Sequence, residues 1–159
     1  MDKLWLAPKG LHIEPGQAGD ADALARLHAG GFYRGWPATD FANYLLERDT
    51  SVYVACDARR KIVGFALFRT VADEAELLTI VVDKAWRGRK IGNALLAAAI
   101  DDFRYTPVRR FFLEVESENI HAIRLYQRFG FSRIGRREGY YALPNGQTAA
   151  ALVMAADLE

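Results

Sequence analysis

The chain has 159 residues, of which 51% are hydrophobic, and its formal net charge at neutral pH is +1. This length predicts a single domain over residues 1–159, and the apolar content is sufficient for a buried core. A net charge so close to zero argues against a protein that binds nucleic acids in general, since such proteins carry a marked basic excess.

The N-terminal sequence and the cysteine and histidine content indicate where the protein is located and whether it binds a metal. The N-terminal sequence MDKLWLAPKG contains an acid and a proline and lacks the apolar core of a secretory signal, and no apolar run reaches the ~20 residues that span a membrane. The single cysteine, Cys56, excludes an internal disulfide framework, and its neighbours SVYVA predict a buried, inert thiol. We therefore expect a cytoplasmic protein without a membrane partner. The histidines share no metal-ligand spacing, so we expect no metal; they are His12, His28 and His121.

Taken in chain order, the pattern of apolar residues predicts strands alternating with helices. The strands are residues 11–14, 51–56, 62–70, 75–82, 110–117, 131–134 and 149–155. The first helix runs from an N-cap at Asp20 to about residue 29, where Gly30-Gly31 ends it, and Thr39 or Asp40 begins the second. Residues 93–100 and 119–129 form the others. Hairpins at both ends and one strand–helix–strand crossover predict an α/β (α+β) domain with a mixed sheet.

The stretch LLTIVVDKAWRGRKIGNALL, residues 77–96, joins a β-branched strand to an Ala/Leu-rich helix through a basic, glycine-containing loop. The apolar run predicts a strand that is buried on both faces. The first N–H groups of a helix lack internal partners, so this loop can bind a phosphate, and Arg87, Arg89 and Lys90 add positive charge. Neither a Walker A loop nor GxGxxG is present. From spacing alone, a solvated connecting loop is an equally good interpretation.

Two carboxylates on one strand are candidates for acid–base chemistry. Glu114 and Glu116 have the same parity, so they point to the same side of the strand. Phe112 shares that parity, and a carboxylate in apolar surroundings can have a raised pKa, which suits a general base. From the strand alone, a solvated face or a set of partners for nearby arginines is the favoured interpretation.

Asn119, Ala122 and Tyr126 fall on one stripe of the last predicted helix. A phenol at this position can donate a proton, and the asparagine amide can hydrogen-bond a ligand. The structural alternatives are an N-cap role for Asn119 and a core-edge role for the tyrosine. Without other information, those structural roles are favoured.

Several of these motifs resemble those of one known family. RGRKIG, residues 87–92, resembles the acetyl-CoA pyrophosphate loop of the GNAT acetyltransferases, whose pattern is Q/R-x-x-G-x-G/A. One GNAT branch is the RimI-type N-terminal alanine acetyltransferases, which modify a ribosomal protein. Their motif LEV…N…A..LY…GF is similar to this sequence, in order, at residues 113–115, 119, 122, 125–126 and 130–131. Arg136-Arg137 and Tyr140-Tyr141 resemble the RR.YY that follows it. The resemblance covers residues 77–154 well and the N-terminal third loosely.

The resemblance implies a GNAT-like mixed, mostly antiparallel twisted sheet of six to seven strands, flanked by about four helices. It implies direct transfer in a ternary complex, with Glu114 as the general base for the substrate α-ammonium and Tyr126 as the general acid for the CoA thiolate. The residues implied to bind acetyl-CoA, as co-substrate, are Ile80, Val81, Val82, Arg87, Gly88, Arg89, Lys90, Ile91, Gly92, Asn93 and Asn119. The residues implied to contact the acceptor are Phe32, Trp36, Tyr140 and Tyr141.

The chain departs from the family pattern at three places. Lys90 stands where the pyrophosphate loop usually has glycine, and Gly139 stands where an asparagine usually precedes the double tyrosine. Residues 147–149, Gln-Thr-Ala, replace an acidic pair before the final strand. The last two departures lie on the acceptor side, so acetyl transfer is better supported than the identity of the acceptor.

Alternative functions therefore stay open. The acceptor is a protein or peptide N-terminus, such as that of a ribosomal protein, or else a small amine, polyamine or aminoglycoside. A cationic acceptor needs an acidic cleft, which can come from Asp73, Glu74, Glu76, Glu116 and Glu138. A third alternative is a non-catalytic acyl-CoA-binding regulatory domain, although retention of Glu114 and Tyr126 argues against it. A nucleic-acid-binding module is a distant fourth, and the oligomeric state stays open between monomer and homodimer.

Overall fold

The computed structural model describes residues 3–32 and 34–158, which form one eight-stranded sheet with helices on both faces. The strands are β1 (Trp5–Leu6), β2 (His12–Pro15), β3 (Thr50–Cys56), β4 (Ile62–Val71), β5 (Glu74–Val82), β6 (Arg110–Glu116), β7 (Ser132–Ala142) and β8 (Thr148–Asp157). The helices are α1 (Ala21–Gly31), α2 (Ala38–Leu46), α3 (Ile91–Phe103) and α4 (Ile120–Arg128), with short 3-10 turns at Ala18–Asp20 and Lys84–Trp86.

The strand order is β1-β2-β3-β4-β5-β6-β8-β7, and among the described strands β5 and β6 form the parallel pair. The predicted mixed, mostly antiparallel sheet and the four helices are therefore confirmed. The sheet has eight strands rather than six or seven because Trp5 and Leu6 pair with Ile13 and His12. A strand of two residues is too short to show an alternating pattern in the sequence.

Two apolar clusters occupy the two faces of the sheet. On one face, α3 packs through Leu95 and Phe103 against Phe68 and Phe111, and α4 adds Tyr126. On the other face, α1 and α2 bury a second cluster, with members Leu24, Phe41, Val54, Phe65 and Val81. Successive residues of a strand point to opposite faces, which is why one strand serves both clusters.

The first two helices differ from the sequence prediction at three points. α1 continues through Gly31, because a Cβ there would lie 3.2 Å from Val81 Cγ1, so glycine permits close contact with β5. α2 begins at Ala38 after Pro37, which places Thr39 and Asp40 inside its first turn. Asp20 stands at the N-cap of α1 but makes no capping hydrogen bond, since its carboxylate instead pairs with Arg60 at 2.7 Å.

The pairing of β5 with β6 ends halfway along both strands. Their register runs from Glu74 opposite Arg110 to Leu77 opposite Leu113. Beyond this point β5 stays with β4, in a register that shifts between Leu67 and Phe68, while β6 stays with β8. Within the described part of the chain, the β5 edge over residues 78–82 therefore has no neighbouring strand on the β6 side. The sheet opens into a split, and β5 alternates in burial rather than being buried on both faces.

Candidate active site

The split between β5 and β6 opens into a cavity of about 810 Å³. The cavity is lined by four predicted site residues that belong to three separate elements of the sequence: Ile80, Glu114, Asn119 and Tyr126. The predicted acceptor residues line it as well; they are Phe32, Trp36, Tyr140 and Tyr141. Residues 87–93, by contrast, lie at the N-terminal end of α3, outside the lining.

Glu114 projects from the part of β6 that has separated from β5, and it forms an ion pair with Arg137 of β7. Arg137 Nη1 lies 3.1 Å from Oε1 and 3.2 Å from Oε2 of the glutamate. A hydrogen bond to Tyr140 and the charge of Glu114 raise the pKa of the Arg137 guanidinium. The favoured interpretation of this carboxylate as a partner for a nearby arginine is therefore confirmed, and the alternative of apolar surroundings is wrong. Arg137 therefore lies directly beside the carboxylate that is the candidate base.

Tyr141 contacts the main chain of Glu114. Its hydroxyl donates a hydrogen bond of 3.4 Å to the main-chain carbonyl of Glu114. Burial, followed by the charge of Glu114, raises the pKa of Tyr141 to about 12. Tyr141 is therefore a neutral phenol at physiological pH.

Tyr126 of α4 is 5% exposed and packs beside Phe131, with 5.9 Å between ring centroids. Burial raises the pKa of Tyr126, so its hydroxyl keeps its proton at neutral pH. The same side chain lines the cavity. The core-edge role and a position suitable for proton donation therefore coexist in one residue.

Asn119 likewise combines the two roles that the sequence left open. Its Oδ1 atom accepts a hydrogen bond of 3.2 Å from the Ala122 N–H and so caps α4. The residue also lines the cavity, directly after the end of β6. The cap fixes the start of the helix that carries Tyr126.

The loop before α3 presents backbone donors and positive side chains at one point. The first intrahelical bond runs from the Ala94 N–H to the Lys90 carbonyl, so the N–H groups of residues 91–93 have no partner within the helix. Arg87 donates from Nε to the Val82 carbonyl at 3.2 Å, and Arg89 lies over the Trp86 ring at 5.1 Å. Uncommitted N–H groups, the helix dipole and these cations form a site suited to a phosphate.

Two of the departures from the family pattern are explained by backbone conformation. Lys90 has φ +62° and ψ +26°, in the left-handed region that glycine adopts most readily. Gly139 has φ +62°, and asparagine is among the residues that tolerate that region. The backbone geometry at both positions therefore matches the residue types usual in the family. Nothing in the structure explains the third departure, at residues 147–149.

A cluster that the sequence did not indicate lies away from the cavity. His12, Glu14 and Cys56 bring potential metal-ligand atoms within 4.8 Å of one another. Arg60, however, is bonded to Glu14, and burial, followed by the charge of Glu14, raises the pKa of the Cys56 thiol to about 12. The thiol is buried and protonated, as predicted for an inert cysteine. Its neighbours on adjacent strands could not be recognised from sequence spacing.

His28 is a further cavity residue that sequence reasoning missed. His28 recurs at helical spacing with Leu24 and Leu27, which predicts only a position on one stripe of α1. The imidazole stacks on Phe32 and Trp36, with centroid distances of 4.2 Å and 4.5 Å. The loop that folds these two rings back over α1 leaves no periodic signal, so the contact was not predictable.

Comparisons with known proteins agree with this geometry. Residues 21–131 match the acetyltransferase (GNAT) family. The chain is 32% identical over 118 residues to the ribosomal protein bS18-alanine N-acetyltransferase of Escherichia coli K12, covering 74% of this chain and 78% of that protein. It is 35% identical over 94 residues to the protein of the same name from Haemophilus ducreyi, covering 59% of this chain and 65% of the relative.

Solved structures give the same result. The crystal structure of the Escherichia coli ribosomal-protein-S18-alanine N-acetyltransferase superposes with a TM-score of 0.87 at 27% identity, covering 94% of each chain. Arabidopsis thaliana NAA60 with acetyl-CoA shares the fold, with a TM-score of 0.83 at 23% identity over 93% of this chain and 98% of that one.

Among the described residues, no helix is both long and apolar enough to cross a membrane.

Proposed function

Because the chain belongs to the acetyltransferase (GNAT) family and is an N-acetyltransferase, we propose that it transfers the acetyl group of acetyl-CoA to the N-terminal α-amino group of a protein. The relatives from Escherichia coli and Haemophilus ducreyi are named for an alanine of ribosomal protein bS18, and a ribosomal protein is the acceptor we propose. One observation supports the proposal most directly. At the split between β5 and β6, the Glu114 carboxylate, the buried Tyr126 phenol and the free edge of β5 lie around one cavity.

Acetyl-CoA, when bound, supplies the activated thioester. The pyrophosphate would lie at the start of α3, against the N–H groups of residues 91–93, with Arg87, Arg89 and Lys90 beside it. The free edge of β5, at Ile80, Val81 and Val82, offers backbone groups to the extended pantetheine arm and an N–H to the thioester carbonyl. Asn119 faces the same space from the start of α4.

Glu114 acts as the general base in this proposal. An α-amino group has a pKa near 8, so only a modest driving force is needed to make it a nucleophile. The ionised carboxylate accepts the ammonium proton, directly or through water, and the free amine then attacks the thioester carbon. No covalent enzyme intermediate is required, in keeping with a cysteine that lies buried in β3.

Tyr126 acts as the general acid. Collapse of the tetrahedral intermediate breaks the carbon–sulfur bond and leaves the electron pair on sulfur. The Tyr126 hydroxyl, kept protonated by burial, donates to that thiolate. The proton that the nitrogen loses on forming the amide restores the phenol. Glu114 then releases the ammonium proton to solvent, so both residues return to their starting states.

The charge of the cavity bears on the choice of acceptor. Its charged lining residues, among those described, are three acids and two arginines: Glu76, Glu114, Glu116, Arg34 and Arg69. A polyamine with several positive charges would be better matched by a cavity without arginines. Mixed charge and the aromatic side chains of Phe32, Trp36, Tyr140 and Tyr141 suit a peptide segment. A small amine remains the second candidate because Glu76 and Glu116 both reach the cavity.

We extend the proposal to the organisation and setting of the protein. One sheet includes strands from near both ends of the chain, which supports a single acetyltransferase domain over residues 1–159. A single cysteine supports a cytoplasmic location, and a net charge of +1 supports a function without nucleic acid. We propose a monomer or a homodimer.

The position of the acetyl group on the product tests the proposal. We would incubate the protein with acetyl-CoA and a peptide that begins with alanine and contains one internal lysine, then locate the acetyl group by fragmentation mass spectrometry. Acetylation of the α-amino group alone is the expected result. Acetylation of the lysine, or modification only of a polyamine, would refute the proposed acceptor.

A further inference from the structure

Two buried polar side-chain atoms find no hydrogen-bond partner among the residues that the structure describes, and both belong to residues that line the cavity. They are His28 Nε2 and Thr79 Oγ1. A buried donor without a hydrogen-bond partner costs free energy, so such atoms are rare. A bound ligand can supply the missing partner. His28 is the more informative of the two because its other ring nitrogen is committed.

The contacts of His28 determine which nitrogen carries the proton. Nδ1 lies 3.1 Å from the main-chain nitrogen of Trp36 and accepts its N–H. Nδ1 is therefore unprotonated in the neutral ring, and Nε2 carries the hydrogen. Burial lowers the pKa of His28 to about 4, so at neutral pH the ring is an uncharged donor with a free Nε2–H.

The position of His28 places this donor on the acceptor side of the split. Its ring contacts Phe41 of α2, so it belongs to the face that α1 and α2 cover. The proposed pyrophosphate site is at the start of α3, which packs on the opposite face. A cofactor held at α3 enters the split from one face, and the acceptor is left to enter from the face that contains His28.

We propose that the Nε2–H of His28 donates a hydrogen bond to the carbonyl oxygen of the acceptor's first residue, which makes His28 a specificity-determining residue for peptide acceptors. This inference rests on the proposed function. A peptide has a carbonyl oxygen three bonds from its α-nitrogen, whereas a fully protonated polyamine offers donors alone. An uncharged donor therefore selects for the peptide and gains nothing from a polyamine.

Access to Nε2 requires one local movement. The atom is buried, and Phe32, which stacks on the imidazole with its ring 12° from parallel, is 44% exposed. Phe32 directly follows α1, in a connection to α2 that contains no helix or strand among its described residues. In our proposal, the acceptor displaces the Phe32 ring as it reaches the donor.

Two substitutions separate the donor role from a structural one. His28→Asn places an amide oxygen near Nδ1, so it can accept the Trp36 N–H, but it removes the donor at Nε2. His28→Gln places an amide N–H near Nε2 and loses the acceptor at Nδ1. We expect the Asn variant to lose about threefold to tenfold in kcat/KM for an alanine-first peptide, mainly through KM, because a neutral hydrogen bond is lost. The Gln variant should retain more activity, and the KM for acetyl-CoA should change in neither.

A modified peptide tests the same bond from the substrate side. Replacing the first peptide bond by an (E)-alkene keeps the geometry and removes the carbonyl oxygen. The wild-type protein should discriminate between the two peptides by at least threefold more than His28→Asn does. This comparison applies even if a variant folds poorly, because each discrimination ratio is measured on one preparation and does not depend on the fraction of protein that is folded.

Equal discrimination by the wild type and His28→Asn would overturn the inference, as would an Asn variant that outperforms the Gln variant. Either result would mean that the role of His28 is only to hold Trp36 in place. If the wild-type protein acetylates neither peptide, the proposed function itself has failed. Acetylation of the normal peptide without any effect at His28 would leave the proposed function intact and reject this inference only.

Discussion

Arg137 reaches from β7 across β8 to Glu114 on β6, where its Nη1 atom lies 3.1 Å from Oε1 of the carboxylate. The two strands are not neighbours, and Arg137 is opposite Ala151 while Glu114 is opposite Val153. The long guanidinium side chain spans the offset. The same guanidinium lies 4.5 Å from the Tyr140 ring centroid, so one cation connects the candidate base with an aromatic wall of the cavity.

Removing this cation should weaken catalysis while leaving the fold intact. We expect Arg137→Gln to lower kcat/KM by no more than roughly fivefold, because an ion pair between exposed side chains is weak. The KM for acetyl-CoA should stay unchanged, because Arg137 contacts the candidate base and not the proposed pyrophosphate site at the start of α3. Arg136→Gln is the matched control, because Arg136 pairs with Glu138 instead. Equal values of kcat/KM for the two variants would remove Arg137 from the mechanism.

Glu114→Gln tests the base directly. The amide keeps the size of the side chain and cannot accept the ammonium proton, so turnover should fall by about 10²-fold or more and the pH–rate profile should flatten. Binding of acetyl-CoA, measured by calorimetry, should stay nearly unchanged. Glu118→Gln is the control, since Glu118 is exposed and does not line the cavity. Unchanged kinetics across pH would exclude Glu114 as the base.

Tyr126→Phe removes one hydroxyl from a side chain that also packs in the core. Turnover should fall on the order of 10²-fold, at the lower end of what general acid catalysis contributes. The melting temperature should change little, because the phenylalanine ring fills the same space beside Phe131. A loss well below tenfold would return Tyr126 to a packing role.

Lys90 provides a prediction about stability and cofactor affinity together. A side chain in the left-handed region costs roughly 1–2 kcal/mol, so Lys90→Gly should raise the free energy of unfolding by about 1 kcal/mol in urea titrations. The same change removes a positive charge near the proposed pyrophosphate site and should weaken acetyl-CoA binding at low salt. Lys90→Asn removes the charge from a residue that tolerates this conformation, and so separates the two effects. Destabilisation by glycine would contradict the conformational argument.

Much of the fold was predictable because local patterns dominate it. The apolar run from residue 77 to 82 predicted the central strand, and the Ala/Leu-rich segment after Lys90 predicted α3. The stripe through Asn119 and Tyr126 predicted α4 together with its cap. The shared parity of Glu114 and Glu116 predicted that both point to the same side of the strand, and both line the cavity. These are signals of period 2 or 3.6 along a single element.

The remaining features depend on contacts between distant segments. The divergence of β5 from β6 after Leu77 depends on how each strand pairs on its other side, which no local pattern records. The contact of Arg137 with Glu114 spans 23 positions in sequence, and the stacking of Phe32 on His28 depends on a loop without periodicity. Gly31 predicted a helix end, but α1 includes it at a point where a Cβ would lie 3.2 Å from Val81 Cγ1.

The most direct test of the account is a CoA-release assay with acetyl-CoA and two sets of acceptors. One set contains short peptides that differ only in the first residue, alanine, serine or methionine, and the other contains polyamines and aminoglycosides. The account predicts turnover with alanine- or serine-first peptides and little with the small amines. Turnover confined to the small amines would contradict it, as would acetyl-CoA binding by calorimetry without turnover of any acceptor in either set.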